Sequence, residues 1–234
     1  MMISVGMAEI VAALAQDGSR GLAAVPAGSC AEVLGVTGAS VSVLLPGGGG
    51  DVVWRSDGAG ARLDDLQFTL GEGPLVDVAS SGQLILEPDL ARVIPQRWPV
   101  FTPAALDLGV RAVFAVPLQI GAIRLGVLLA YRDVPGPMAG TVLTDLLALA
   151  AAMTGALLGH GTVGRGPPTW LADQPTGYRA QIHQATGMIS IQLGVGQADA
   201  LIRMRAHAFS HRRALADVAS DVVARRLRFD KDAD

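Results

Sequence analysis

The chain has one cysteine, Cys30, so it can form no intrachain disulfide and offers no thiolate cluster to a metal. A solitary thiol among apolar neighbours reads as a small buried hydrophobe. Lysine is nearly missing as well: Lys231 is the only one, so arginine supplies almost all positive charge. Charged residues make up 17 % of the chain and aromatics 4 %, while half of it is apolar. That much apolar surface belongs in a core or a subunit contact. The longest uncharged apolar run, Leu146–Leu158, has 13 residues, short of the about 20 that a spanning helix needs. Residues 1–15 carry Glu9 and no basic leader, unlike a secretory signal. These absences predict a cytoplasmic protein that does not enter a membrane.

The usual catalytic signatures are missing too. There is no Gly-x-Ser-x-Gly elbow and no Cys/His pair. Asp64 and Asp65 are adjacent, so on a helix they diverge by about 100° and cannot act on one substrate. His207 and His211 have a metal-compatible i, i+4 spacing but no nearby carboxylate ligand, and read as a surface pair. No catalytic residue, metal site or cofactor is assigned, and the chain is read as a non-enzyme.

What is present is a division of charge. The net charge is −3, composed of −6 over residues 1–177 and +3 beyond, reaching +5 over 178–228. A basic module on an acidic body predicts an anionic partner for the module.

Periodicity supplies the elements. Helical spacing is found at 3–15, 61–69, 74–80 and 95–108; alternation predicts strands at 39–45, 51–56 and 83–86. Gly47–Gly50 reads as a hairpin loop, because the Lys-Ser/Thr of a phosphate cradle does not follow. Residues 111–120 and 122–131 predict two paired central strands rich in β-branched residues. In 141–158, Leu143, Leu146, Ala150, Met153 and Leu157 form a heptad seam, with Leu147, Ala151, Thr154 and Leu158 beside it. The helix is either a buried terminal helix or one that also meets a partner subunit. Five glycines and three prolines at 159–177 predict a linker, followed by amphipathic helices at 178–193, 197–209 and 214–228. The expected fold is α+β: a central antiparallel sheet flanked by helices, then an all-α three-helix bundle.

Motifs sharpen this outline. Arg179-x-x-Ile182-x-Gln184-Ala185-x-Gly187, Asp199-Ala200-x-x-x-Met204-Arg205-x-x-Ala208 and Arg213-x-Leu215-x-Asp217-Val218-Ala219 occupy the three C-terminal helices in order. This segment resembles the ANTAR family of transcription antitermination modules. Residues 10–158 resemble the GAF domains fused to such modules, through Leu66-Gln67-Phe68-x-Leu70-Gly71-Glu72-Gly73-Pro74, Asp89-Leu90, Arg97-Trp98-Pro99 and Arg111-Ala112-Val113-Phe114-Ala115-x-Pro117-Leu118. The resemblance implies a GAF-like sensory domain over 1–159, a linker over 160–177, an ANTAR-like RNA-binding domain over 178–229 and an acidic tail over 230–234. It also implies a homodimer that holds tandem RNA hairpins.

The RNA-binding residues expected from this are Arg179, Gln184, Ala185, Thr186, Gly187, Arg205, Arg212 and Arg213. A small residue such as Gly187 serves either close helix packing or the approach of a base. Thr186 stands where relatives carry Lys, Gly196 where a Ser or Thr cap is common, and Leu75 where many have Cys. In the sensory domain Trp98, Phe101, Phe114 and Tyr131, with Leu106, are candidates to line an apolar ligand cavity. Core packing accounts for the same residues, Trp98 excepted. Two functions follow: an antitermination regulator whose GAF sensor controls an RNA-binding ANTAR domain, or a protein-interaction or DNA-binding regulator that has lost RNA binding.

Overall fold

The computed structural model describes residues 2–16, 21–45, 50–56, 59–162 and 178–230. They divide into two compact units, one holding the described residues up to Thr162 apart from Leu45, the other those from Tyr178 on. The linker expected at 160–177, the loop at 47–49 and the acidic tail beyond Asp230 lie outside the described residues, save that a helix continues to Thr162.

The first unit is built on the strands β1 (Gly38–Leu44), β2 (Gly50–Arg55), β3 (Ile85–Glu87), β4 (Ala112–Ile120) and β5 (Ile123–Arg132). All neighbours pair antiparallel, in the order β2-β1-β5-β4-β3. The central strands are apolar on both faces because helices cover both. Helices α1 (Val5–Gln16), α2 (Ala27–Leu34) and α6 (Gly140–Thr162) pack with Ala39, Val41, Phe114, Val116, Leu128 and Ala130 on one face. Helices α3 (Ala59–Leu70), α4 (Pro74–Ser81) and α5 (Phe101–Asp107) pack with Val113, Ala115, Val127, Leu129 and Tyr131 on the other. Cys30 is fully buried on the first face, and burial pushes its thiol up to about 12. Its setting is that of a packed hydrophobe.

The structure adds one helix to those expected and shortens another. Helix α2 carries no charge before Glu32, yet Ala27, Cys30, Ala31 and Leu34 are buried at helical spacing between Pro26 and Gly35. The helix expected over 95–108 is limited to 101–107. Pro95 and Pro99 disfavour helical geometry in the residues before them, so 95–100 forms turns. Glu72 then opens α5, its Oε1 accepting the amides of Val100 (2.7 Å) and Phe101. Gly73 is required for this turn: its φ is +124°, and a Cβ would lie 2.8 Å from Gln67 Cγ.

Within α6, Gly140–Gly159 is 20 residues, long and apolar enough to cross a membrane, but half of it is buried in this unit. It exceeds the 13-residue run because it extends back past Thr144 and Asp145, whose polar groups find partners. Thr144 Oγ1 donates to Gly140 O at 2.8 Å, and buried Asp145 accepts the Ser4 amide at 2.9 Å. Leu146, Leu149 and Met153 are fully buried, contributing about 1.5–3 kcal/mol each. Leu147 (40 % exposed), Ala151 and Leu158 (38 %) stay on the outer side.

The second unit comprises α7 (Tyr178–Leu193), α8 (Gln197–Ser210) and α9 (Leu215–Val223). Ile182, Ala185, Ile189, Met204, Leu215, Val218 and Val222 are among its buried residues. Helix α9 stops well before the expected residue 228, because Arg225 turns into the left-handed region at φ +59°.

Candidate functional site

The eight residues expected to meet RNA fall into two groups. Arg179, Ala185 and Thr186 are buried, at 6 %, 0 % and 5 % exposure. Their side chains belong to the inward face of α7, and Thr186 Oγ1 donates back to Ile182 O at 2.8 Å. Gln184 is exposed and Gly187 half-buried on the opposite face, one turn apart. A Cβ built on Gly187 would meet nothing within 4 Å. Close helix packing therefore does not require glycine at 187, and the open space beside it is available to an approaching group.

Arg205 is half-buried on α8, and burial pushes its guanidinium down to about 10. Arg212 and Arg213 are exposed in the connection between α8 and α9. Arg213 Nη2 donates to Asp221 Oδ2 at 2.6 Å, and Arg226 Nη2 lies 2.7 Å from the other oxygen. These two guanidinium bonds hold the Asp221 carboxyl below the usual carboxylate range. Arg212 has φ +52° and stays in solvent with no ion pair among the described residues.

His207 and His211 stack with ring centroids 4.0 Å apart, and Phe229 meets His207 edge-on at 5.2 Å. His211 Nδ1 lies 2.9 Å from His207 O and 3.0 Å from Ser210 Oγ. Burial, then the neighbouring His211 and Arg213, lowers the His207 pKa. No group of three metal-ligating side chains occurs among the described residues.

In the first unit the ligand candidates do not share a cavity. Val113 pairs with Tyr131 across β4 and β5, so Phe114 points to the opposite face from Tyr131. It is buried with α1, α2 and α6, whereas Trp98, Phe101, Leu106 and Tyr131 lie with α3–α5. Phe114 is therefore removed from the candidate site.

On the α3–α5 face Trp98 and Phe101 pack edge-to-face at 5.6 Å, and Trp98 Nε1 donates to Asp77 Oδ2 at 3.1 Å. Arg97 caps the indole at 4.2 Å and lies 3.2 Å from Glu87. Tyr131 Oη accepts the Gly60 amide at 3.0 Å. Burial raises the Tyr131 pKa.

Polar groups that sequence reasoning had not singled out share this face. Ser40 Oγ donates to Asp64 Oδ1 at 3.0 Å. Ser42, two residues along β1, is 1 % exposed, with its Oγ lacking a hydrogen-bond partner among the described residues. Both serines alternate with Ala39, Val41 and Val43, and that alternation was the available signal.

The ANTAR domain family model matches residues 177–223. No curated protein matches the chain. The GAF domain of an Acinetobacter phosphoenolpyruvate-protein phosphotransferase superposes at TM-score 0.50 and 13 % identity, covering 70 % of this chain and all of that one. The phycoerythrobilin-bound GAF domain of a cyanobacterial phytochrome gives 0.49 and 13 %, over 68 % of this chain and 97 % of that one. Substrate-bound free methionine-R-sulfoxide reductase from Neisseria meningitidis gives 0.48 and 15 %, over 68 % and 95 %. The first of these likenesses establishes a GAF-like fold for the N-terminal unit.

Proposed function

We propose that this chain, a GAF-like fold followed by an ANTAR segment, is a cytoplasmic transcription antitermination regulator whose sensor unit controls RNA binding by the second unit. The observation that carries the reading is the ANTAR match over 177–223, on a module that has eight arginines and three aspartates between 178 and 228. Arg212, Arg213, the exposed Gln184 and the half-buried Gly187 are the groups available to RNA. Arginine suits this task because its planar fork binds phosphate and stacks on unpaired bases. Arg179, Ala185 and Thr186 support the surface from within.

A small ligand of the sensor unit would bind on the α3–α5 face near Trp98, Phe101 and Tyr131, with Ser42 as a polar contact. The outer side of α6, through Leu147, Ala151 and Leu158, is the face proposed to meet a second copy. The competing reading, a protein- or DNA-binding regulator without RNA affinity, draws on Thr186, whose hydroxyl is spent inside its own helix where relatives carry a cation.

Filter binding of the full chain to a tandem-hairpin RNA at several salt concentrations tests the reading. The wild type should prefer that RNA over an unrelated duplex, and Arg212→Ala with Arg213→Ala should weaken binding and flatten the salt slope by roughly 0.7–0.9 per lost phosphate contact. Equal affinity for hairpin and duplex, with no loss in the double variant, overturns it.

A further inference from the structure

Among the described side chains, Phe209 is the one aromatic that is exposed. It is 74 % accessible, whereas Trp54, Phe68, Trp98, Phe101, Phe114 and Tyr131 are buried and Phe229 is half-covered. It stands on the last turn of α8, one turn after Arg205 on the same face. Its carbonyl accepts the Arg212 amide at 3.1 Å, so the aromatic ring and the solvent-facing Arg212 are parts of one turn. Arg212 holds that turn with φ +52°, a geometry that costs a residue with a Cβ and that glycine would adopt freely. Two independent features therefore belong to one turn: an aromatic ring left in water and a left-handed arginine with no ion pair among the described residues.

We propose that the Phe209–Arg212 turn is a base-reading element, in which an unpaired RNA base stacks on the Phe209 ring and Arg212 takes the adjoining phosphate. The proposal rests on the RNA-binding reading above and deepens it. An aromatic platform bordered by cations is the combination that single-stranded nucleic acid requires: every base offers a π face, and every step along the strand brings a phosphate. An apolar protein partner would fit the ring but not the charge of this module. Ile202, 59 % exposed and two turns earlier on α8, extends the apolar surface for a second base.

The test uses the full chain, a tandem-hairpin RNA with 2-aminopurine placed in turn at each loop position, and a fully paired duplex of the same length. Phe209→Ala and Phe209→Leu should both weaken hairpin binding by roughly 5- to 100-fold, with no change in salt slope or in duplex affinity. Phe209→Trp should restore it. One loop position should lose fluorescence on binding wild type, and keep it with Phe209→Leu. Because the ring is in solvent, circular dichroism should report unchanged folding for all three.

Full affinity in Phe209→Leu, or no quenched loop position, overturns the stacking while leaving RNA binding standing. A variant that only shifts the mass measured by light scattering marks the ring as a protein contact, and also overturns it. Wild type that does not distinguish hairpin from duplex removes both the inference and the reading under it.

Discussion

Two helices of the second unit, α8 and α9, close with the hydrogen-bond pattern of α2 in the first unit but with different residues, whereas α7 ends on a left-handed glycine, Gly194. At the end of α2 in the first unit, Gly35 N donates to Glu32 O and Val36 N to Ala31 O, both at 3.0 Å, with Gly35 at φ +57°. At the end of α8, Arg212 N donates to Phe209 O at 3.1 Å and Arg213 N to Ala208 O at 2.9 Å. At the end of α9, Arg225 N donates to Val222 O at 3.0 Å and Arg226 N to Asp221 O at 2.7 Å. All three are Schellman motifs, which favour glycine at the left-handed position. Arg212 and Arg225 are the only non-glycine residues at positive φ among the described residues. A side chain there costs about 1–2 kcal/mol. A cation at a helix C-terminus recovers about 0.3–1 kcal/mol through the macrodipole. The remainder is strain held at an exposed cation, and such strain points to use of the side chain rather than to stability.

Exchanging the residues breaks or sharpens this contrast most directly. A Cβ at Gly35 would meet nothing within 4 Å, so Gly35→Arg should cost the first unit about 1–2 kcal/mol through the backbone alone. Urea unfolding followed by fluorescence of the buried Trp54 and Trp98 would report it. Arg212→Gly and Arg225→Gly should instead stabilise the helical unit by about 1 kcal/mol each, read by circular dichroism. Arg212→Gly should weaken RNA binding in the same preparation. Stability and affinity moving together would show that the left-handed arginines are not strained for function.

The helix ends also mark where the sequence stopped being legible. The strands and most helices could be read because their apolar residues recur at periods of 2 or 3.6. The end of α9 could not: Arg225, Arg226 and Arg228 are good helix formers, and nothing local announces that Arg225 will turn left-handed. Phe114 was assigned to the wrong face for a related reason. Strand β4 is apolar on both sides, so alternation is invisible, and only the pairing of Val113 with Tyr131 fixes which way Phe114 points. On α7 the motif residues were legible but their directions were not, and Ala185 and Thr186 turned inward beside the outward Gln184 and Gly187. Phe209 escaped because the motif that identifies α8 consists of its buried positions.

Gly187 offers a smaller test of the same trade between stability and contact. Glycine inside a helix costs about 0.5–1 kcal/mol relative to alanine, and here no neighbour stands where the methyl would go. Gly187→Ala should therefore stabilise the helical unit by that amount. If the open space receives a base or a backbone, the same variant should bind hairpin RNA more weakly; unchanged affinity would leave the glycine without a role in the interface.

The smallest expected effect concerns Asp221, which holds Arg213 and Arg226, while Arg212 and Arg225 make no ion pair among the described residues. Its folded pKa is depressed, chiefly by the Arg213 hydrogen bond and then by that of Arg226. The stability it supplies is thus present above the unfolded carboxylate pKa of about 3.9 and is lost as pH falls through the lower folded value. Asp221→Asn should be less stable than wild type at neutral pH, with the two curves converging below about pH 4. A gap independent of pH would mean that packing, not charge, fixes this corner. The same variant releases Arg213 and Arg226 from their shared acid, so hairpin binding at neutral pH should tighten and its salt slope steepen. If binding does not change, these two arginines brace the fold, and contact with the anionic partner falls to the pair left strained in solvent.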